Sequence, residues 1–343
     1  MRIEIITTPN EELKETGFGT LKACQSVYDS IKKLGHNVKL NICRNMIDLA
    51  LIVDRKPDLV ILAVKYISID NGKDIWLSEY FAKHQINYSG SSREVLKYDS
   101  DKVRAKSHLM KKGIKTANYF TAIPGQYTCK ADLPVAFPLF LKPLDAANGN
   151  GIDDLSLVTN FAEFEHKTLS LYSEFNMPVL AEEYLDGREY SVAIIRTESS
   201  KLIVSAVEII PPQSTKGLRI LGEKAKKEDS EEIRKIENQK VLNKVTELAV
   251  DAYAKLGIWD FGRIDVKTNK RGQCYFMEAN LVPGMTSGSS YFPRACEIAN
   301  DLTYDEMIQI IVEKGISRAP YAEPLTVPHD IVDNTSEIRV AAM

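Results

Sequence analysis

Short apolar runs alternate with amphipathic stretches through the N-terminal part of the chain. Arg2-Ile-Glu-Ile-Ile6 reads as a strand, residues 20–34 as a helix, and Asn37-Val-Lys-Leu-Asn-Ile-Cys43, after Gly35-His36, as a second strand. Asp58-Leu-Val-Ile-Leu-Ala-Val64 is almost continuously apolar, the pattern of a parallel strand covered on both faces. A small α/β sheet over residues 1–98 follows. A helix start is predicted at Asp99-Ser100, with Leu109 and Met110 carrying its apolar stripe until Gly113 stops it. Phe137-Pro-Leu-Phe-Leu-Lys142 then predicts a strand running into the glycine-containing loop Ala146-Ala-Asn-Gly-Asn-Gly151, in a second unit over 99–181. Met177–Leu185, Tyr190–Ile195 and Leu202–Ile210 are β-rich and separated by turn residues, which predicts one antiparallel sheet. Residues 211–230 have no sustained periodicity and read as a long exposed loop of the lid type. From Asp229-Ser230, the spacing Ile233, Ile236, Val241, Val245, Leu248, Ala252, Leu256 predicts an amphipathic helix closed by Gly257. Two more strands, Trp259–Val266 and Cys274–Glu278, complete a third unit over 182–318, and the proline-containing residues 319–343 read as an extended tail.

Composition narrows the class. With 343 residues the chain is long enough for several packed units, and 44% hydrophobic with 27% charged residues is ordinary globular usage. A net charge of -3 offers no broad cationic surface, which disfavours nucleic acid and anionic membranes as partners. No stretch reaches the about 18 apolar residues of a membrane span, and the N-terminus lacks a signal-peptide core. Five cysteines without a CxxC pair suit reduced thiols and a cytoplasmic setting.

The chemistry concentrates in Gly262-Arg-Ile-Asp-Val266 and Phe276-Met-Glu-Ala-Asn280. Strand alternation puts Arg263 and Asp265 on one face, and Glu278 and Asn280 together on the neighbouring strand. Two carboxylates and an amide oxygen are hard ligands of the kind magnesium prefers when it bridges to substrate phosphates, and Arg263 beside them suits an anion clamp. Lys102 at a helix start and Lys142 at a strand end could grip phosphates, with Asn148-Gly149-Asn150-Gly151 allowing close backbone approach. Taken alone, each lysine is more commonly explained by an exposed surface position, and the loop equally by a plain turn.

Together the motifs DKVRAK, FLKP, EEYLDGREYSVAI, FGRIDV and MEANLVPGMTSGS, from Asp101 to about residue 315, resemble the ATP-grasp superfamily and, within it, the D-alanine:D-alanine ligases. The resemblance implies an α/β fold of three domains: an N-terminal substrate domain, and central and C-terminal domains that grip ATP. It implies an enzyme that transfers the γ-phosphate of ATP to a carboxylate, after which an amine attacks the acyl phosphate. Lys102 and Lys142 match its phosphate-binding lysines; Glu182, Glu183 and Leu185 match its adenine hinge; Glu189 matches the ribose carboxylate. Asp265, Glu278 and Asn280 match its ligands for magnesium or manganese, and Arg263 its clamp on the acyl phosphate. Gly284 matches the oxyanion-hole glycine and Ser289 the serine that binds the carboxylate of the attacking amino acid. The implied partners are a carboxylate donor and an amino-acid acceptor, in a homodimer by family habit. Two rival functions on the same grip are a hydroxyl kinase and a nucleotide-binding module without catalysis.

The departures from the family all touch the first substrate or its lid. The N-terminal motif whose glutamate holds the first amino group is replaced by residues 7–19, where Glu12 or Glu15 could substitute. The histidine–glycine segment is replaced by Val64–Asp74, paired serines by Asn148 and Gly149, and residues 211–230 contain no tyrosine. ATP chemistry is therefore expected to be intact, whereas D-alanine as first substrate does not follow.

Overall fold

The N-terminal apolar run forms β1 (Arg2–Thr7), followed by α1 (Leu21–Lys33), β2 (Asn37–Ile42), α2 (Met46–Asp54) and β3 (Leu59–Leu62). The strands are parallel in the order β2-β1-β3, the predicted βαβ arrangement. Alternation sends Ile3, Ile5, Leu59 and Ile61 into a core under α1, and Ile6, Val60 and Leu62 into a second core on the opposite face. Burial on both faces explains the uninterrupted apolar spelling of β3; each such side chain is worth roughly 1.5–3 kcal/mol. The computed structural model describes residues 1–9, 17–69, 73–144, 149–214 and 217–318, so Glu12, Glu15, Asn148 and the tail 319–343 lie outside the described residues.

A strand pair, β4 (Tyr66–Ile69) and β5 (Lys73–Trp76), leads into α3 (Leu77–Lys83), α4 (Arg93–Ser100) and α5 (Lys102–Lys111). The helix start expected at Asp99-Ser100 is displaced. Those residues close α4, and α5 begins after Asp101, whose carboxylate accepts from Arg104 N at 2.8 Å. Leu109 is buried but Met110, one step round the helix, is 46% exposed and lies off the stripe.

Four antiparallel strands come next: β6 (Tyr119–Ala122), β7 (Leu139–Pro143), β8 (Leu157–Val158) and, after α6 (Phe161–Phe175), β9 (Val179–Glu183). Their order is β6-β9-β7-β8. This corrects the sheet expected for Met177–Leu185. β9 is hydrogen-bonded on both edges, Ala181 pairing with Phe120 and with Leu141, so it belongs with β6 and β7 and has no free edge for the strands that follow it.

Those strands build a separate antiparallel sheet from β10 (Glu189–Arg196), β11 (Leu202–Ile210), then α7 (Glu223–Glu228), β12 (Glu232–Lys235), α8 (Gln239–Leu256), β13 (Phe261–Thr268) and β14 (Cys274–Asn280), in the order β12-β11-β10-β13-β14. Two expectations fail here. Ile233 belongs to β12, where it pairs with Ile209, and the helix starts only at Gln239, capped by the Asn238 side chain. The helical spacing of Ile233 and Ile236 was an accident of two buried positions three residues apart. Residues 211–230 are not wholly an exposed loop either, because they contain α7 with Ala225 buried. The chain closes with α9 (Tyr291–Asn300) and α10 (Tyr304–Ser317). α10 returns to β3, where Gly315 lies so close to Leu59 that a Cβ would sit 2.8 Å from its Cδ1. Arg318 then stacks between Tyr88 and Trp259 and bonds Asp260 at 3.2 Å, locking the parallel sheet to the five-stranded one.

Candidate active site

β13 and β14 carry the polar face predicted for them. Arg263 pairs across the ladder with Asn280, and Asp265 with Glu278, so all four side chains share one side. A β-bulge makes this compatible with the core. Val266 pairs with Phe276 although Asp265 pairs with Glu278, so Met277 is the extra residue and turns Phe276 inward while Glu278 stays on the polar side. Asp265 is the hub. Arg263 donates to it through Nε at 3.0 Å and Nη2 at 2.9 Å, Asn280 Nδ2 at 3.1 Å, and Ser191 Oγ, from β10, at 2.7 Å. Ser191 was passed over in the sequence; its signal was alternation with Glu189 on the same strand.

Cations converge on Glu278. Burial is the largest influence on its carboxyl and pushes its pKa up, but Lys102, Lys226, Lys142 and Arg263 together outweigh it and bring it down to about 2. Lys102 opens α5 and Lys142 is the penultimate residue of β7, so both sequence candidates act on Glu278, joined by Lys226 of α7, which sequence reasoning missed. A buried triad stands behind Lys142. Glu182 takes Lys106 on Oε1 at 2.7 Å and Lys142 on Oε2 at 2.8 Å. Burial raises the Glu182 carboxyl, yet the two lysines override it to about 2. Lys106 is wholly buried and burial pulls its pKa down; for Lys142 burial acts the same way but Glu182 and Glu278 prevail and raise it. Lys106 was legible only as a lysine four residues after Lys102, on the same helical side as buried Ala105 and Leu109.

The glycine loop meets the segment containing α7. Gly149 and Gly151 both hold φ +73, and a Cβ on Gly149 would lie 3.1 Å from the Gly222 carbonyl carbon. Gly151 N donates to Glu223 Oε2 at 3.4 Å and Glu223 N to Ile152 O at 3.1 Å. Beyond Glu182, Glu183 accepts from Asn118 Nδ2 at 2.8 Å, Tyr184 stacks on Phe140 and Leu185 is buried. Glu189, at the start of β10, pairs with Lys267 at 3.1 Å.

After β14 the chain passes through Leu281–Ser290. Leu281 N and Val282 N donate to Asp99, which also holds the buried Lys65 at 2.7 Å, and Met285 N donates to Phe18 O. Asp99 near the end of α4 and Phe18 after β1 thus grip this loop from two sides. A Cβ on Gly284 would sit 2.8 Å from Ser290 Oγ, and that oxygen accepts from Thr286 N at 3.0 Å. It is Ser290, the residue after Ser289, whose hydroxyl closes against Gly284; Ser289 donates its backbone N–H to Thr286 O. Tyr291 follows, with the Arg263 guanidinium 5.4 Å from its ring centre. Among the described residues no group of three or more His, Cys, Asp or Glu could hold a metal, so a metal here would rest on Asp265, Glu278 and the Asn280 amide, with substrate phosphates completing its shell.

A parallel α/β unit leading into two antiparallel sheets, with lysines, a glycine loop and an Asp-Glu-Asn set gathered at one face, defines the ATP-grasp class. Residues 109–313 match the family described as D-ala D-ala ligase C-terminus. The chain belongs to that family and is an ATP-dependent carboxylate–amine ligase. It is 28% identical over 294 residues to a D-alanine–D-alanine ligase of Aquifex aeolicus, covering 85% of this chain and 94% of that protein. To the corresponding ligase of Gloeobacter violaceus it is 25% identical over 322 residues, covering 92% and 100%. In fold it is similar to the crystal structure of the Bacillus anthracis D-alanine–D-alanine ligase complexed with ATP, with a TM-score of 0.71 at 20% identity, covering 92% of this chain and 97% of that one. Among the described residues no helix is long and apolar enough to cross a membrane.

Proposed function

We propose that this ligase uses magnesium-ATP to activate a carboxylate other than D-alanine and joins it to an α-amino acid. The observation that carries the reading is the quartet Arg263, Asp265, Glu278 and Asn280 on one sheet face, with Lys102, Lys142 and Lys226 converging on Glu278. The donor set suits magnesium or manganese, which when bound supplies Lewis-acid stabilisation of phosphate charge. The chain's own residues do the rest. Lys102, Lys142 and Lys226 balance the triphosphate, Glu183 and Leu185 frame the adenine with Glu182 behind them, and Glu189 holds the ribose hydroxyls. A donor carboxylate oxygen attacks the γ-phosphorus and ADP departs; the acceptor amine then attacks the acyl carbon, forming the amide and releasing phosphate. Arg263 and the Gly284 N–H stabilise the oxyanion of that second step, and Ser289 takes the acceptor carboxylate. α7 against the glycine loop keeps water from the acyl phosphate.

The donor half supports a different first substrate. In the segment that replaces the family's histidine–glycine, Lys65 is buried and committed to Asp99, which leaves a D-alanine ammonium facing a changed surface. A cytoplasmic homodimer is the setting the resemblance suggests. The test is an ADP-release screen across D- and L-amino acids, hydroxy acids and dipeptides with mass detection of products. An amide product is expected, with D-alanine alone giving a small fraction of the best pair's turnover. A phosphate ester would refute the ligase reading, and a kcat/KM for D-alanine dimerisation at or above every other pair would refute the donor assignment.

A further inference from the structure

Glu231 enters the site from the end of the segment containing α7. Two residues on, Ile233 pairs with Ile209, Ile209 with Glu189, and Glu189 with Lys267, so the side of β12 that Ile233 shows is the side of Arg263 and Asp265. Glu231 is 6% exposed, and the Tyr291 hydroxyl donates to its Oε1. The ring of that tyrosine lies under the Arg263 guanidinium, and Ser290, just before it, closes on Gly284. The carboxylate therefore stands at the acceptor end of the reaction centre, separated from Arg263 by the span of the Tyr291 ring.

Its second oxygen accepts no hydrogen bond from any of the described residues. Oε2 is also shut off from solvent. Buried carboxylates are ordinarily paired on both oxygens, because leaving one desolvated and unmatched is costly. Nothing in the activation chemistry uses Glu231: the metal-type ligands are on β13 and β14, and the phosphate lysines on α5, β7 and α7. Tyr291 fixes the carboxylate by satisfying one oxygen, which leaves the other as an oriented anionic acceptor. The reacting amine has to reach the acyl carbon beside Arg263, so the nitrogen that meets Glu231 is a different one.

Resting on the ligase reading above, we infer that Glu231, oriented by Tyr291, receives a cationic nitrogen on the side chain of the attacking substrate. The acceptor class is then an amino acid bearing a second ammonium or a guanidinium group. A buried charge selects strongly, since a neutral acceptor leaves the carboxylate unmatched.

The test compares acceptors matched in side-chain length, 2,4-diaminobutyrate with norvaline and ornithine with norleucine, each in both stereochemical forms. The full chain is used with ATP, magnesium and the best carboxylate from the screen, and kcat/KM for amide formation is read by mass. Cationic acceptors should exceed neutral ones by at least about a hundredfold. In Glu231→Gln, which keeps a Tyr291 acceptor, that ratio should fall at least about tenfold; Tyr291→Phe should reduce it less and serves if the first variant folds poorly. A wild-type ratio near one, or an equal loss for neutral and cationic acceptors in Glu231→Gln, would overturn the assignment. Hydroxylamine trapping of the acyl phosphate by the wild-type enzyme tests the ligase reading separately. If no hydroxamate forms, calorimetric binding of ornithine against norleucine to the ATP-analogue complex still decides the role of Glu231.

Discussion

Replacing Glu182 by glutamine removes the one negative charge between two buried ammonium groups. Lys106 and Glu182 are 0% and 1% exposed, and the Lys142 side chain 7%. Removing one partner of a buried ion pair costs about 3–5 kcal/mol, because the remaining charge keeps its desolvation penalty. The two lysines, each on its own carboxylate oxygen, stand about 5–6 Å apart and repel by about 3 kcal/mol at an effective dielectric of about 20. Lys106→Met should be milder, because it leaves a neutral Glu182–Lys142 pair and removes an ammonium whose ionisation burial already opposes. Adding Lys106→Met to Glu182→Gln should recover at most about 3 kcal/mol, the repulsion term, because a buried Lys106 deprived of Glu182 can also shed its proton. Urea unfolding of the three variants by circular dichroism, with calorimetric binding of an ATP analogue, measures this. In the wild type the Glu182 carboxyl sits near 2, below its unfolded value of about 4.3. Its contribution is therefore fully present above about pH 4.3 and lost as pH falls through about 2, so the deficit of Glu182→Gln should shrink on acidification. A Glu182→Gln protein no less stable than Lys106→Met, or a double variant no more stable than Glu182→Gln, would refute the triad's role.

Glu278→Gln should keep the melting temperature nearly unchanged and lower turnover at least about a hundredfold, since one ligand charge at the phosphates is lost; near-normal activity would remove Glu278 from the site. Gly149→Ala should loosen α7 from the glycine loop, because φ +73 and a 3.1 Å approach to Gly222 both oppose a Cβ. The readout is faster protease cleavage within residues 217–230 under ATP analogue and magnesium, and unchanged cleavage would argue against the docking. Lys65→Met should lower kcat more than it raises KM for ATP, because Asp99 then loses the cation that holds it on Leu281 and Val282; a change confined to the ATP KM would count against this link.

Local order was legible in the sequence wherever one period governed a whole segment. Parallel β1 to β3, the stripe of α8 from Val245 to Leu256 and the pairing of Arg263 with Asp265 all follow from alternation or helical spacing, because a residue's face depends on its neighbours along the same element. The motif order carried the ligase class for the same reason: each motif is a short contiguous piece. Sheet membership did not follow, and β9 fell on the wrong side, because strand neighbours are chosen by hydrogen-bonded edges distant in sequence. Ile233 and Ile236 mimicked a helix because two buried positions three apart satisfy either period. The bulge at Met277 was likewise silent, since one extra residue in a ladder is visible only against its partner strand. Lys106, Ser191, Lys226 and Glu231 were each unremarkable in the sequence. What makes them matter is burial beside a charge from another element: Glu182 for Lys106, Asp265 for Ser191, Glu278 for Lys226, Tyr291 for Glu231. The sequence alone determined the chemistry this chain could perform, whereas tertiary structure decided which charges share a desolvated space, because electrostatic coupling depends on distance and solvent exclusion and neither is encoded in spacing along the chain.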